Sequence, residues 1–499
     1  MQMPEPNAAV LARRAQIAAD LRTLLPAADQ VIAEVDELRA YETDGLSAYR
    51  QMPMIVVLPE TTQQVSAIMR YCYANGVRTV ARGAGTSLAG GALPLADSVV
   101  IGISKMTRIV DVDFANRTAT VQPGVTNMAI TTAVQHEDFF FAPDPSSQIA
   151  CTIAGNVAMN SGGAHCLKYG VTSNNLLGLE VVLPDGEVVR LGGANLDGGG
   201  YDLMGLFTGS EGTLGIVTEI TVRILHSPEG ARPILMGFDS NEAAGACVDA
   251  IISSGIIPVA LEFMDKPAIH AAEAYVHAGY PLDVEALLIV EVEGSDEEVE
   301  RLLGWIKEIA QRHNPSYLRI STSEAESQMI WKGRKSAFGA VGRISPDYYC
   351  MDGTIPTGQL PGVLKRISEI CDGYGFKVAN IFHAGDGNLH PLILYNANKP
   401  GDLEKAEKCG GEILKVCVDV GGCLTGEHGV GVEKRDLMTY QFTETELEQQ
   451  RRVKDVFDPN WLMNPHKIFP LSARVGPLGD NTAPDKTPTA ARPTATAAE

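Results

Sequence analysis

No Cys-x-x-Cys pair occurs in this chain, although it holds nine cysteines. They are scattered and odd in number, which argues against a disulfide framework and fits a reducing compartment. Their spacings match no iron–sulfur pattern, so the chain is expected to carry no cluster of its own. No apolar run is long enough to span a bilayer; "EALLIVEV" is only strand-sized. The N-terminus, "MQMPEPNAAVLARRAQIAADLRTLLP", has helix-like Ala and Leu spacing broken by Arg and Asp, and it lacks the continuous apolar stretch of a secretion signal. Positive charge is scarce as well: 40 Lys and Arg against 61 Asp and Glu leave a net charge of −21. That balance speaks against nucleic acid or an anionic membrane surface as partner. A cytoplasmic protein with no integral membrane segment is the expectation.

Glycine and chain length are what the sequence has in plenty. Fifty Gly and 28 Pro without a repeat imply many tight turns, and 499 residues are too many for one core. Residues 1–49 read as a helical segment. Residues 50–228 read as short strands separated by Gly-rich turns. Within them "TTQQVSAIMRYCYANG" is a helix with Val65, Ile68, Met69 and Cys72 on one face and Gly76 as its stop. Two hairpins turn at Ala115–Asn116 and at Asp185–Gly186. "GIVTEITVRIL" alternates, with Ile216, Thr218, Ile220, Val222 and Ile224 on one side. Residues 229–425 cycle strand, helix, strand, with Ser240 and Ser295 in helix-capping places, which points to a ferredoxin-like α+β layer. Residues 426–470 form a C-terminal segment with helical character. The last stretch, 471–499, is rich in Pro, Thr and Ala and is expected to be disordered.

Three sets of loop residues carry the first chemical signal. "RGAGTSLAGG" follows a strand but is no dinucleotide fingerprint, because the third Gly of G-x-G-x-x-G falls on Leu88. It remains a loop of exposed N–H groups and hydroxyls, suited to a pyrophosphate. "PDPSS" with "TIAGNVAMNSGG", and then "GSEGTLGIVTEI", add small and hydroxyl-bearing positions far away in sequence. One large ligand touched by several loops accounts for all three.

The second signal is "HAGDGNLH", where a Gly-rich turn separates His383 from His390 in a chain with only 10 His. "TGEHGVGVEKR" then adds Glu427 and His428 beside another Gly turn. Two His and one Glu are a common divalent-metal set with positions left open for a substrate.

Together these stretches resemble the FAD-linked oxidases, with a flavin domain of the vanillyl-alcohol oxidase/p-cresol methylhydroxylase type followed by the family's C-terminal domain. The resemblance implies an α+β fold: a two-part FAD-binding domain, a ferredoxin-like substrate domain, and a C-terminal helical segment returning to the FAD domain. It implies FAD with the pyrophosphate at Arg82, Gly83, Ala84, Gly85, Thr86 and Ser87. Pro143, Asp144, Thr152, Gly155, Asn156, Ser161 and Gly162 would line the ribityl and ring region, and Glu211, Gly215 and Ile216 would complete the cleft. The first loop offers neither His nor Cys, so FAD is expected to be non-covalent. His383, His390 and Glu427 become ligands to zinc, manganese or iron, with His428 as base. The implied reaction takes a 2-hydroxy acid to a 2-oxo acid with a non-NAD acceptor: hydride goes to flavin, the hydroxyl is polarised by the metal, and its proton goes to His428.

Substrate class follows from "WKGRKSAFGAVGRISPDYYCMDGTIP". Arg334 stands where the family places a carboxylate-binding Arg, and Arg343 is a second candidate. Relatives that take dicarboxylic acids carry a Lys where this chain has Cys350, so a monocarboxylic acid is expected. "SPDYYCMDGTIP" most resembles bacterial glycolate oxidase flavin subunits, which puts glycolate first and D-lactate second. By the same resemblance, electrons pass to an iron–sulfur subunit and a second FAD-domain-like subunit, which would hold the chain at the inner face of a membrane. A flavin-free assembly subunit would have decayed loops. An oxygen-using oxidase of the same superfamily would lack the His/Glu set.

Overall fold

The computed structural model describes residues 3–195 and 199–471. Of the expected disordered tail, all but Leu471 lies outside the described residues.

Two small sheets and a two-stranded ribbon, Phe139–Phe140 with Leu225–His226, build the first half. In one, Ile55–Val57, Ser98–Gly102 and Arg78–Arg82 run parallel, and Val31–Ile32 adds an antiparallel edge. The helices Arg14–Leu24 and Thr62–Asn75 cover it. Val65, Ile68, Met69 and Cys72 face this core beside Ile17 and Leu21. Thr61 caps the second helix by accepting from the N–H of Gln64, and Gly76 ends it at φ +64°, a conformation that costs glycine little. The other sheet is antiparallel, in the order Ile109–Asp113, Thr118–Val121, Ile216–Arg223, Leu176–Val182, Val188–Gly192. Its middle strand buries Ile216, Thr218, Ile220 and Val222 and leaves the alternate side chains half-buried, as the period of two requires. Both hairpins turn where the sequence places them.

The second half is one mixed-length antiparallel sheet. Its spine runs Tyr317–Ile320, Gly230–Phe238, Ala286–Gly294, Ala260–Asp265, Lys377–His383. Alternation along Ala286–Gly294 sends Leu288 and Val290 to one face and Leu287 and Ile289 to the other. The first face packs on the helices Asn241–Ser253, Asp296–Gln311, Leu360–Tyr374 and Asp402–Asp419. The second packs on Lys266–Val276 and Glu324–Val341, two helices that the strand–helix alternation of the sequence does not reveal. The longer one starts at a Ser323 cap. It carries a Gly because Tyr280 presses on it: a Cβ on Gly333 would lie 2.5 Å from the Tyr280 hydroxyl.

The chain end returns to the first half. The Thr79 N–H donates to Leu462 O, and the Asn464 N–H donates to Thr79 O. Lys454 Nζ donates to Met463 O at 2.8 Å and to Thr213 O at 2.5 Å. The two halves thus close on each other across a cavity.

Candidate active site

The cavity has a volume of about 420 Å³, within the range of small-molecule and cofactor sites. The loop from Arg82 to Ser87 lines one wall, and a Cβ on Gly83 would lie 2.4 Å from Thr152 Oγ1, so the backbone approaches as closely as it does only without a side chain. Thr152, Gly155, Asn156 and Ser161 continue that wall, and Asn156 Nδ2 is a buried donor with no partner. Glu211, Gly215 and Ile216 close it. A polar, flat-bodied cofactor fits this lining, and FAD would be held here.

Three of the expected contacts fall elsewhere. Pro143 turns its carbonyl to Asn127 Nδ2 at 2.9 Å, and Asp144 pairs with His165 Nδ1 at 2.9 Å; Pro145, Ser146 and Ser147 line the cavity in their place. Gly162 packs on Glu427 instead, where a Cβ would lie 2.7 Å from Oε2.

His383 and His390 meet because of strand register. His383 is the last residue of Lys377–His383 and pairs with Asn388 across the turn. Its neighbour on the other side is Glu262, directly opposite in the Ala260–Asp265 strand. Opposed residues in an antiparallel pair bring their side chains together, and His383 Nδ1 lies 2.8 Å from Glu262 Oε1. The other nitrogen, Nε2, is 3.3 Å from Glu427 Oε1, and His390 Nε2 is 3.1 Å from the same oxygen. The two imidazoles stand nearly perpendicular, at 86° with centroids 5.3 Å apart.

Ligand geometry selects among the groupings. His383, His390 and Glu427 bring their donor atoms within 4.8 Å, and so do Cys350, His390 and His428. In the second group, however, the two rings stack at 8° and 4.8 Å. Imidazole lone pairs lie in the ring plane, so two parallel planes cannot meet at one ion. The perpendicular pair can, and a carboxylate behind the ligating ring is the usual support for a metal-bound His. His383, His390 and Glu427 would hold a divalent ion.

Electrostatics agree with that choice. Burial alone would raise the Glu427 pKa, but His383 and His390 outweigh it and hold the carboxyl well below its usual range. Burial would lower His383, yet Glu262 and Glu427 push it well above its ordinary value. A cation entering the set would therefore displace a proton.

The loop carrying Glu427 and His428 is held by two buried carboxylates from other parts of the chain. Asp352 Oδ2 accepts from Thr425 Oγ1 at 2.6 Å, from the Gly426 N–H at 3.0 Å and from the His428 N–H at 2.9 Å. Glu211, itself at φ +53°, accepts from the N–H groups of Val430 and Gly431, both at 2.7 Å. His428 lines the cavity with its Nδ1 unpartnered, and burial pushes its pKa down to about 4.

The two arginines do not reach the cavity. Arg334 is 3% exposed and its Nη2 lies 2.5 Å from Glu262 Oε2. It is the counter-charge of the carboxylate behind His383. Arg343 is on the surface, stacked over Tyr275 and donating to Ala274 O at 3.1 Å; the helix it follows carries it away from the site. Glu262, Asp352 and Lys335, which also lines the cavity, were not singled out by spacing. For Glu262 a signal existed: an acid between Leu261 and Phe263 in the middle of the apolar strand "VALEFMD".

Comparison with known proteins agrees with this architecture. Residues 53–192 match the family described as FAD binding domain, and residues 227–468 match FAD linked oxidases, C-terminal domain. The glycolate oxidase subunit GlcD of Escherichia coli is 51% identical over 90% of this chain and 90% of its own length. A D-lactate dehydrogenase of Anaerostipes hadrus is 30% identical over 85% of this chain and 91% of its own. The crystal structure of p-cresol methylhydroxylase with substrate bound superposes with a TM-score of 0.79 at 18% identity, covering 94% of this chain and 99% of that one, which shows a shared fold. The chain belongs to the FAD-linked oxidases.

Proposed function

We propose that this protein oxidises glycolate to glyoxylate as the flavin subunit of a glycolate-oxidising complex. The observation that carries the reading is His428: an imidazole at the cavity wall with its Nδ1 unpartnered, stacked on His390 of the His383–His390–Glu427 set. Non-covalent FAD, when bound, supplies a two-electron acceptor, and a divalent ion supplies Lewis acidity toward the substrate hydroxyl. His428 Nδ1 is free to take the hydroxyl proton. Asp352 fixes the backbone that carries this base, and its negative charge favours the protonated ring that results. Glu262 orients His383, and Phe338, edge-on to His390 at 6.0 Å, helps keep water from the reacting carbon.

The relative named glycolate oxidase subunit, at 51% identity, supports glycolate. The 30% identity to a D-lactate dehydrogenase supports D-lactate as the alternative; one methyl group changes discrimination by only about 1–3 kcal/mol. Electrons then leave through partners, an iron–sulfur subunit and a second FAD-domain-like subunit, in keeping with a relative that is named a subunit. The nine cysteines are free and distributed over both halves. No helix among the described residues is long and apolar enough to cross a membrane, so attachment at the inner membrane face would come through those partners.

The test is anaerobic stopped-flow reduction of bound FAD by glycolate, D-lactate and L-lactate, before and after chelation. Fast bleaching by glycolate, lost with chelator and restored by manganese, zinc or iron, is expected. Bleaching by D-lactate alone would move the substrate. No bleaching by any 2-hydroxy acid in loaded protein would end the reading.

A further inference from the structure

Residues 42–51 do not line the cavity, yet they press on the outer side of the loop that does. The segment closes on itself. The Gln51 N–H donates to Glu42 O at 2.7 Å, and Thr43 Oγ1 donates to Tyr49 O at 2.9 Å. A compact loop with its ends joined in this way holds its own shape. Leu46 in its middle is buried in the core of the second half, so the segment is anchored from outside the flavin-type domain.

Gly45 makes the closest approach. A Cβ there would lie 2.7 Å from the carbonyl oxygens of both Thr86 and Ser87, so those two carbonyls face residues 42–51. A trans peptide turns its N–H opposite to its carbonyl, and no peptide bond here is cis. The N–H groups of Ser87 and Leu88 therefore face away from Gly45. Both residues line the cavity, and neither N–H is engaged by a backbone carbonyl among the described residues. Successive free N–H groups are what a pyrophosphate needs. The ends of the loop are gripped as well. Arg82, its first residue, donates from Nη1 to Thr43 O at 2.7 Å and sets its guanidinium over the Tyr41 ring, 5.6 Å from the centroid. Asp44 is buried and accepts from the Leu46 N–H at 3.0 Å and from the Ala92 N–H, past the other end, at 3.3 Å.

We propose that Tyr41, Asp44 and Gly45 are positioning residues for the cofactor. From outside the cavity they hold the loop from Arg82 to Ser87 in the shape that turns its N–H groups toward the pyrophosphate of FAD. They touch the loop and not the ligand, so their effect is read in cofactor retention. Without FAD the loop can relax around a small change at these positions. With FAD it cannot, and the cost falls on binding. The proposal rests on FAD lying at Arg82–Ser87 and holds for any 2-hydroxy acid.

The experiment follows FAD release from the purified holoprotein after dilution, as the rise in free-flavin fluorescence, in wild type, Gly45→Ala, Asp44→Asn and Tyr41→Leu. Gly45→Ala sets a methyl against two backbone carbonyls that can yield only by turning their peptides. FAD should leave it roughly five- to a hundredfold faster. Asp44→Asn and Tyr41→Leu should each speed release severalfold. Melting curves with and without FAD separate positioning from packing. A ligand stabilises the fold in proportion to its affinity, so the rise in melting temperature on adding FAD should shrink in the variants while the apoproteins melt close to wild type. A segment that serves the fold alone would lower both melting temperatures together and leave the release rate unchanged, which overturns the proposal. Should Gly45→Ala fail to fold, Asp44→Asn and Tyr41→Leu decide by the same measure: release at the wild-type rate in both overturns it. A wild type that takes up no FAD would instead remove the cofactor reading beneath it.

Discussion

Glu262 and His383 face each other across two antiparallel strands, with the imidazole Nδ1 2.8 Å from the carboxylate Oε1. Glu262 lies within its strand, so the register of the sheet fixes the ring and aims Nε2 at Glu427. Burial would raise the Glu262 pKa, but Arg334 and His383 hold it below the ordinary carboxyl range, so the acid is charged where it orients the ligand. Glu262→Gln keeps the shape, removes the charge and leaves Arg334 unpaired. It should lower metal affinity about 10- to 100-fold with FAD still bound. Competition for manganese or zinc against a chelating dye measures this, and equal affinity in the variant would show that Glu262 serves packing alone.

Asp352 acts on the site from behind. One oxygen takes three contacts within 3.0 Å from the 425–428 loop, and the group is fully buried. Asp352→Ala leaves those donors without a partner, at about 1–3 kcal/mol per group. The expected outcome is a fall in melting temperature together with loss of glycolate-driven flavin reduction, because Glu427 and His428 lose their common anchor. A variant of normal activity would mean that the Glu211 contacts at Val430 and Gly431 hold the loop by themselves.

How much of this was legible in the sequence depended on range. Local patterns were reliable: the helix from Thr62 to Asn75, the turn at Asp185–Gly186 and the Ser295 cap are written in adjacent residues. The His/Glu triad was legible because Gly-flanked His and Glu are unusual in any turn. The supports were not. Glu262 reaches His383 from 121 positions away, and a strand pairing of that span leaves no mark in spacing. The helix Glu324–Val341 escaped notice because Gly333 and Gly339 interrupt its apolar pattern. Without its phase, nothing separates Arg334, which faces the sheet, from Lys335, which faces the cavity. Asp144 was misplaced by only a few residues, since "PDPSS" marks the loop but not which of its residues turns inward.

Gly162 tests how tightly the flavin-type domain is fitted to the other half. Its Cβ would come within 2.7 Å of Glu427 Oε2 and 3.1 Å of Cys166 Sγ. Neither neighbour is a freely moving side chain, because Glu427 is held by both histidines. Gly162→Ala should push the carboxylate off its position and cut metal occupancy severalfold, while thermal stability falls by no more than about 1–3 kcal/mol. Metal analysis of the purified variant, set beside its melting curve, separates the two effects. Full metal occupancy would mean that the carboxylate relaxes without leaving the set.

Lys467 gives the pH dependence. It is buried, donates to Leu93 O at 2.7 Å and to Asn464 Oδ1 at 3.3 Å, and burial pushes its pKa down to about 7. An unfolded Lys titrates near 10.4. Between those values the unfolded chain binds the proton and the folded chain does not, so this group makes stability rise with pH. Its slope is at most about 1.4 kcal/mol per pH unit, spread over pH 7 to 10. Below pH 7 the ammonium is charged in both states and the slope from this group disappears. Lys467→Met removes the titration. Melting temperature should therefore climb less steeply from pH 7 to pH 9.5 in Lys467→Met than in wild type, whatever offset the lost hydrogen bonds add at every pH. Parallel curves for the two proteins would show that Lys467 stays protonated in the fold, held so by Asp44 across the same buried region.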